Sequence, residues 1–191
     1  SQIDGLLIPG GNDCDPTLYG QTRHPASILM DRRRQDSDLA LLALAERRNM
    51  PVLGICLGYQ LMNILRGGTL HQSIQDRYPE SSVVHTRVAE KDPANPTRSS
   101  FHEVMIRPDT HLHAIYQARS VRANSRHRQG VDQLGRGLIP AAFAPDGILE
   151  ALEDYSLPFF VGVQWHPENM AGTEHDALFN ALVEAAKEHR K

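Results

Sequence analysis

The chain has 191 residues, 40% of them hydrophobic and 23% charged, with a formal net charge of −3. That is enough for one domain with a full core, the composition is ordinary for a globular chain, and the slight acidity advertises no face for nucleic acid or a membrane surface. No apolar run approaches the roughly 20 residues of a membrane span, and two cysteines, Cys14 and Cys56, are too few for a disulfide framework, which fits a reducing cytoplasm where a reactive thiol persists.

Taken in order, Gly5 to Ile8 reads as a strand ending in the turn Pro9-Gly10-Gly11. Paired glycines after a strand usually serve a tight reversal, but they also leave N–H groups free to face a cleft. Thr17 to Gln35 is polar and predicts a surface loop or lid. Its run Arg32-Arg33-Arg34 is of a kind most often solvated, though arginine also recognises carboxylates. Asp36 to Arg48 predicts a helix capped by Asp36 or Ser37. Pro51 then opens a buried strand, Val52 to Ile55, that runs into Gly54-Ile-Cys56-Leu-Gly58 and a helix from Tyr59 to Leu65. Strand, sharp turn and helix form the thiol counterpart of a nucleophile elbow. Side chains at Gly54 and Gly58 would collide where strand and helix cross. Cys56 at a helix N-terminus is expected to favour the thiolate, although a lone cysteine in an apolar stretch is usually just buried.

Arg66 to Gln72 is a glycine turn, and Pro79 to Ser100, with Pro93 and Pro96, predicts a long polar insertion. His102 to Ile106 reads as a strand and His111 to Tyr116 as a short helical turn. His111 and His113 fall on different helix faces, and no Cys/His cluster stands at ligand spacing, so neither a metal nor a cofactor is expected. Ser120 to Asn124 predicts a strand entering the polar cluster Asn124 to Gln129. Leu138 to Ala144 and Ile148 to Leu152 predict two strands about Pro145-Asp-Gly147, and Phe159 to Val163 a buried strand running into Gln164-Trp165-His166-Pro167-Glu168. Thr173-Glu-His-Asp176 has the form of a capping box, ahead of a helix burying Leu178, Phe179, Leu182, Val183 and Ala186.

The alternation of strands and helices predicts an α/β fold, one domain over residues 1–191, with a mostly parallel central sheet flanked by helices. Sites in such folds form at the carboxyl ends of strands. The Gly10-Gly11 turn, Cys56 and His166 all fall at such ends. A nucleophilic thiol needs a base and a group to orient that base. Glu168, two residues from His166 with Pro167 fixing the backbone between them, can hold one imidazole nitrogen and leave the other for the thiol.

Gly54-Ile-Cys56-Leu-Gly58-Tyr-Gln60 together with Gly162-Val-Gln-Trp-His166-Pro-Glu168 resembles the class I glutamine amidotransferase superfamily. Pro9-Gly-Gly-Asn-Asp-Cys-Asp-Pro16-Thr-Leu-Tyr-Gly20, Asn63-Ile-Leu-Arg-Gly-Gly-Thr69-Leu-His-Gln72 and Asn124-Ser-Arg-His127-Arg-Gln129 resemble its γ-glutamyl-γ-aminobutyrate hydrolase branch, peptidase family C26. The resemblance implies a flavodoxin-like three-layer fold and a catalytic triad of Cys56, His166 and Glu168. It also implies an oxyanion hole from the N–H groups of Leu57 and Gly10 or Gly11, and hydrolysis of a γ-glutamyl amide through a thioester on Cys56, with putrescine catabolism as the setting. Gln60, Ser125, His127 and Gln129 are the candidates for substrate binding. The implied partner is a small γ-glutamyl substrate, with homo-oligomerisation left open and no nucleic acid or membrane. The chain departs from the branch at Leu57, often Arg; at Gln35, often Asp; and at Arg128, often a second His. Relatives also carry about two β-α units ahead of Gly5, so the chain is expected to be N-terminally truncated. The alternatives are a glutaminase subunit passing ammonia to a separate synthase, and a non-catalytic binding protein on the same scaffold.

Overall fold

The computed structural model describes residues 3–87 and 98–190. In chain order the elements are β1 (Leu6–Ile8), α1 (Arg32–Arg47), β2 (Val52–Ile55), α2 (Leu57–Leu65), β3 (Leu70–His71), α3 (Ile74–Arg77), β4 (Ser100–Ile106), α4 (His111–Tyr116), β5 (Ser120–Ser125), β6 (Gly130–Val131), β7 (Ile139–Phe143), β8 (Leu149–Glu153), β9 (Phe160–Val163) and α5 (Asp176–His189). Short 3-10 turns cover Pro16–Tyr19 and Pro167–Asn169. Seven strands form one sheet in the order β1-β2-β9-β8-β7-β4-β5, and β3 pairs separately with β6. The α/β class is as expected. The parallel pairing is confined to β1, β2 and β9, while β8, β7, β4 and β5 continue the sheet in antiparallel register.

Residues on a strand point alternately to opposite faces, and this alternation divides the core in two. Val52 on β2 and Phe160 on β9 join Leu42 of α1 and Tyr59, Leu61 and Met62 of α2 in one cluster. Leu53, Ile55, Val161 and Val163 face the other way, into a cluster with Leu112 of α4 and Leu178 of α5. Three layers result, helix–sheet–helix. Where α2 crosses β2 there is no room for side chains. A carbon added to Gly54 would lie 2.3 Å from Met62 Sδ and 2.8 Å from the Gly58 carbonyl carbon, and one added to Gly58 would lie 2.2 Å from the Ile8 carbonyl oxygen.

Three local expectations are corrected. Helix α1 begins at Arg32 rather than Asp36, because Asp31 is the cap: its Oδ1 accepts from the N–H groups of Arg33 (2.9 Å) and Arg34 (3.2 Å). The triple arginine is therefore the first turn of a helix and not part of a loop. The capping box before α5 does not form. Thr173 Oγ1 accepts instead from His175 N–H, and Asp176 folds back onto Gly172 N–H at 2.9 Å. On α5, Leu178 is buried but Val183 is 50% exposed. The long polar insertion lies partly outside the described residues.

Candidate active site

Three strand ends meet at the carboxyl edge of the parallel trio. Cys56 follows β2 directly, with φ 50° and ψ −98°, a left-handed backbone that a non-glycine residue adopts only under constraint. The constraint is the tight crossing just described: the chain must leave β2 and enter α2 within one residue. Cys56 N–H donates to the Val163 carbonyl at 2.8 Å, so the turn is tied to the strand that leads to His166. The side chain is buried, 6% exposed. Gln164 Nε2 lies 3.5 Å from Sγ, and Gln164 Oε1 accepts from Gln60 Nε2 at 3.0 Å.

His166 is held at both ends. The side-chain amide of Asn124 donates to its carbonyl and accepts from its N–H, each at 2.8 Å. On the ring, Nδ1 lies 2.6 Å from Glu168 Oε1 and 3.2 Å from Arg126 Nη2. A carboxylate only accepts and a guanidinium only donates, so Nδ1 serves one of them. The shorter contact assigns its proton to Glu168 and leaves the lone pair on Nε2. Arg126 then acts on Glu168, 3.7 Å away. Burial opposes the charge of Glu168, but the His166 hydrogen bond and charge, its own backbone and Arg126 hold it below the usual carboxylate range.

Gly10 packs against both side chains. A carbon added there would stand 2.7 Å from His166 Cε1 and 3.5 Å from Cys56 Cβ, so only glycine lets the turn after β1 lie this close to them. The same turn is fixed by Arg34, whose Nη2 donates to the carbonyls of Pro9 (3.1 Å) and Gly10 (3.0 Å), and whose Nε is held by Asp38 at 3.2 Å. Across a trans peptide the N–H points opposite to the C=O. Drawing both carbonyls toward Arg34 therefore aims the N–H groups of Gly10 and Gly11 the other way. A carbon on Gly11 would meet Leu57 Cδ2 at 2.8 Å, so the glycine turn and the start of α2 are in contact.

The thiolate expectation is corrected. Burial pushes the Cys56 thiol up to about 12, with the Glu168 and Glu150 charges adding to it; Arg126 and the Leu57 N–H pull it down but are outweighed. The resting group is a thiol, which needs a base. The expected helix-terminus effect is real but smaller than the loss of water.

Beside Cys56 opens a cleft of about 350 Å³, with Gln60, His127 and Gln129 in its lining alongside Gly11, Arg87, Arg126 and Arg128. Gln129 is buried with neither amide atom hydrogen-bonded. Ser125 is not in that lining; its hydroxyl donates to the His85 carbonyl at 3.0 Å. His127 reaches the cleft, but its Nδ1 donates to the Gln129 carbonyl at 2.8 Å and its other nitrogen faces the buried Glu150. Arg128 pairs with Asp13 across the cleft mouth. Sequence reasoning passed over four residues here: Arg34, Asn124, Arg126 and Gln164. The first sat in a run read as most often solvated; the other three stood in the Asn124–Gln129 cluster and the segment leading to His166 but were given no role, because their partners are distant in sequence.

A sequence profile of the Peptidase C26 family matches residues 1–168. The chain belongs to the Peptidase C26 family. Membership places it among hydrolases of glutamine amidotransferase type. This C26 chain is 36% identical over 187 residues to protein NtpR of Enterococcus hirae, covering 96% of the chain and 75% of the relative. It is 30% identical over 196 residues to the γ-glutamyl-γ-aminobutyrate hydrolase PuuD of Escherichia coli K12, covering 98% and 74%. Among solved structures, the glutaminase domain of Trypanosoma brucei CTPS, solved with bound acivicin, superposes with a TM-score of 0.63 at 21% identity, covering 97% of this chain and 71% of that one. That likeness supports the fold. Among the described residues of this C26 member, no helix is long and apolar enough to cross a membrane.

Proposed function

We propose that this C26 chain hydrolyses a γ-glutamyl amide, with Cys56 as nucleophile, His166 as base and Glu168 as the group that orients it. One observation carries the reading: an imidazole fixed at Nδ1 by a carboxylate 2.6 Å away and a buried thiol both pack against the same glycine, Gly10. In this mechanism His166 Nε2 takes the thiol proton as sulfur attacks the γ-carbonyl carbon. The charge that develops on the carbonyl oxygen is met by backbone N–H groups of Leu57 and of the Gly10-Gly11 turn. The C–N bond then breaks, with the imidazolium proton passing to the leaving amine and a γ-glutamyl thioester remaining on Cys56. Water, deprotonated by His166, attacks the thioester; sulfur leaves, recovers the proton, and glutamate is released.

The cleft supports a substrate richer in carboxylates than glutamine. Arg87, Arg126 and Arg128 line it, Arg128 paired with Asp13 of the same lining and Arg126 beside Glu168; three guanidinium groups still outnumber those two carboxylates, and guanidinium groups match carboxylates. The orphan amide of Gln129 offers a donor and an acceptor, suited to an α-amino and α-carboxylate end. γ-Glutamyl-γ-aminobutyrate, with two carboxylates, fits this charge better than glutamine with one. The test is glutamate release from each substrate, with wild type and Cys56→Ser. The expected result is faster turnover of γ-glutamyl-γ-aminobutyrate and a loss of at least about a thousandfold in the variant. A Cys56→Ser protein hydrolysing at the wild-type rate would remove the mechanism. Turnover of glutamine alone would move the reading to an ammonia-supplying subunit.

A further inference from the structure

Behind the cleft, four side chains from four segments converge. His85 comes from the stretch after α3, His102 from β4, His127 from the turn after β5 and Glu150 from β8. The side chains of His85, His102, His127 and Glu150 are 3%, 8%, 2% and 0% exposed. One donor atom from each lies within 4.8 Å of all the others. His85 Nδ1, His102 Nε2 and His127 Nε2 stand 3.4, 3.6 and 3.4 Å from the same oxygen, Glu150 Oε1. None of those three nitrogens has a hydrogen-bond partner, and neither does either oxygen of Glu150.

The outer nitrogens explain why. His85 Nε2 is held by Asp146 Oδ2 at 2.9 Å, His102 Nδ1 by the Glu103 carbonyl at 3.0 Å and His127 Nδ1 by the Gln129 carbonyl at 2.8 Å. Each outer partner is an acceptor, so each neutral ring carries its proton on the outside and turns a lone pair inward. Three lone pairs and a carboxylate facing one another in a dry interior repel unless a cation lies among them. Extra protons would meet the charge, but charge-assisted N–H···O⁻ contacts close to about 2.7–2.9 Å, and these stand well outside that. Four ligands about 2.0–2.1 Å from a tetrahedral centre are instead about 3.3–3.4 Å apart, close to the three spacings to Glu150 Oε1, and the donor atoms all lie within 4.8 Å of one another.

We propose that His85, His102, His127 and Glu150 bind a divalent transition-metal cation, with zinc the best match. Three imidazoles suit zinc and its neighbours, where calcium or magnesium would require mostly oxygen ligands. The acceptors behind each imidazole are the outer shell that such sites use to fix tautomer and ring orientation. No ligand spacing along the chain announces the group, since residue 85 and residue 150 meet only through the sheet, and so the expectation of no metal site, argued from spacing, could not see it. The site does not depend on the chemistry of Cys56. Its place implies a structural role: His85 precedes Thr86 and Arg87 in the cleft wall, so a bound cation ties that wall to β4 and β8.

The test uses the full chain carrying Cys56→Ser, to remove the reactive thiol as a competing ligand. After expression with zinc and exhaustive desalting, about one zinc per chain is expected by elemental analysis. The demetallated protein titrated with cobalt should develop the visible d–d absorption of a tetrahedral nitrogen–oxygen site, discharged by zinc. Zinc should raise the melting temperature, and neither signal should survive in Glu150→Gln or His102→Ala. A folded protein that retains no zinc and shows neither cobalt bands nor a melting shift overturns the proposal and leaves the cluster to buried imidazolium. Retention of one zinc by a folded Glu150→Gln or His102→Ala protein overturns it too. Should the variants not fold, the cobalt and zinc titrations of the parent protein still decide.

Discussion

The two halves of the sheet place their functional side chains by different means. In the parallel trio β1, β2 and β9 the work is done by main chain and by missing side chains. Gly54 and Gly58 let α2 press onto the sheet, Gly10 lets a turn lie against both Cys56 and His166, and Cys56 itself sits at φ 50°. In the antiparallel half the work is done by side chains reaching across strands: Asn124 onto the His166 backbone, and the imidazoles around Glu150. The first half is limited by atoms added at Gly10, Gly54 and Gly58, the second by the loss of side-chain partners such as the Asn124 amide. The difference is a consequence of pairing. Parallel strands need crossover helices that pack against the sheet, whereas antiparallel neighbours present facing side chains.

The strongest way to break this contrast is Gly58→Ala. The added methyl meets the Ile8 carbonyl oxygen at 2.2 Å, backbone that cannot swing aside. We expect insoluble protein or a loss above about 4 kcal/mol in a urea melt. Wild-type stability would show that α2 can lift from the sheet, and the main-chain account of this half would fail. Next is Asn124→Ala, which strands the N–H and C=O of a buried histidine. The expected cost is about 2–4 kcal/mol, together with a fall in kcat as His166 loses its register. A loss of kcat with no change in stability would make Asn124 a substrate contact instead.

Smaller effects sharpen the picture. Arg34→Met frees the Pro9 and Gly10 carbonyls, and kcat should drop about tenfold with little change in KM, since in the proposed mechanism the donors it aims act on the transition state. An unchanged kcat would mean the glycine turn holds itself. Asp154→Asn is the mildest. Arg66 bridges Asp154 at 2.7 Å and Glu46 at 2.6 Å. Burial opposes the Asp154 charge, but hydrogen bonds from Ser156 and Arg66 and the Arg66 charge hold its carboxyl below its ordinary 3.8. A lowered carboxylate stabilises the fold above its unfolded value and loses that contribution as pH falls through the folded one. The variant should therefore cost about 1–2 kcal/mol at pH 7, and the gap to wild type should close below about pH 3.8. A gap constant with pH would assign the loss to packing.

This contrast also decides what could be read from the sequence. Cys56, its glycines, His166 and Glu168 lie in two short segments whose spacing is the geometry, so the elbow and the His–Glu pair are legible along the chain. The strands were legible for the same reason: Val52 to Ile55 and Phe159 to Val163 are apolar runs that only a buried strand explains. Asn124, Arg34 and Glu150 were not, because what they do depends on partners 42, 24 and up to 65 residues away. Helix α1 was started late because Asp36 and Ser37 offered plausible caps, while Asp31 was hidden behind three arginines that looked like loop. Cys56 was expected as a thiolate because a helix terminus is visible in sequence and burial is not.

One feature of the cleft bears on how such a protein can change over generations. One wall is main chain, the Gly10-Gly11 turn and the start of α2, and its donors are encoded by no side chain. The facing wall is built from the side chains of Arg87, Arg126 and Arg128. Arg126 is tied to His166 and Glu168 and Arg128 to Asp13, so point mutations can rewrite the second wall only in part, while in the first a carbon on Gly10 meets His166 and one on Gly11 meets Arg34 and Leu57. Change over generations is thus expected to come more readily to the wall made of side chains than to the wall made of main chain.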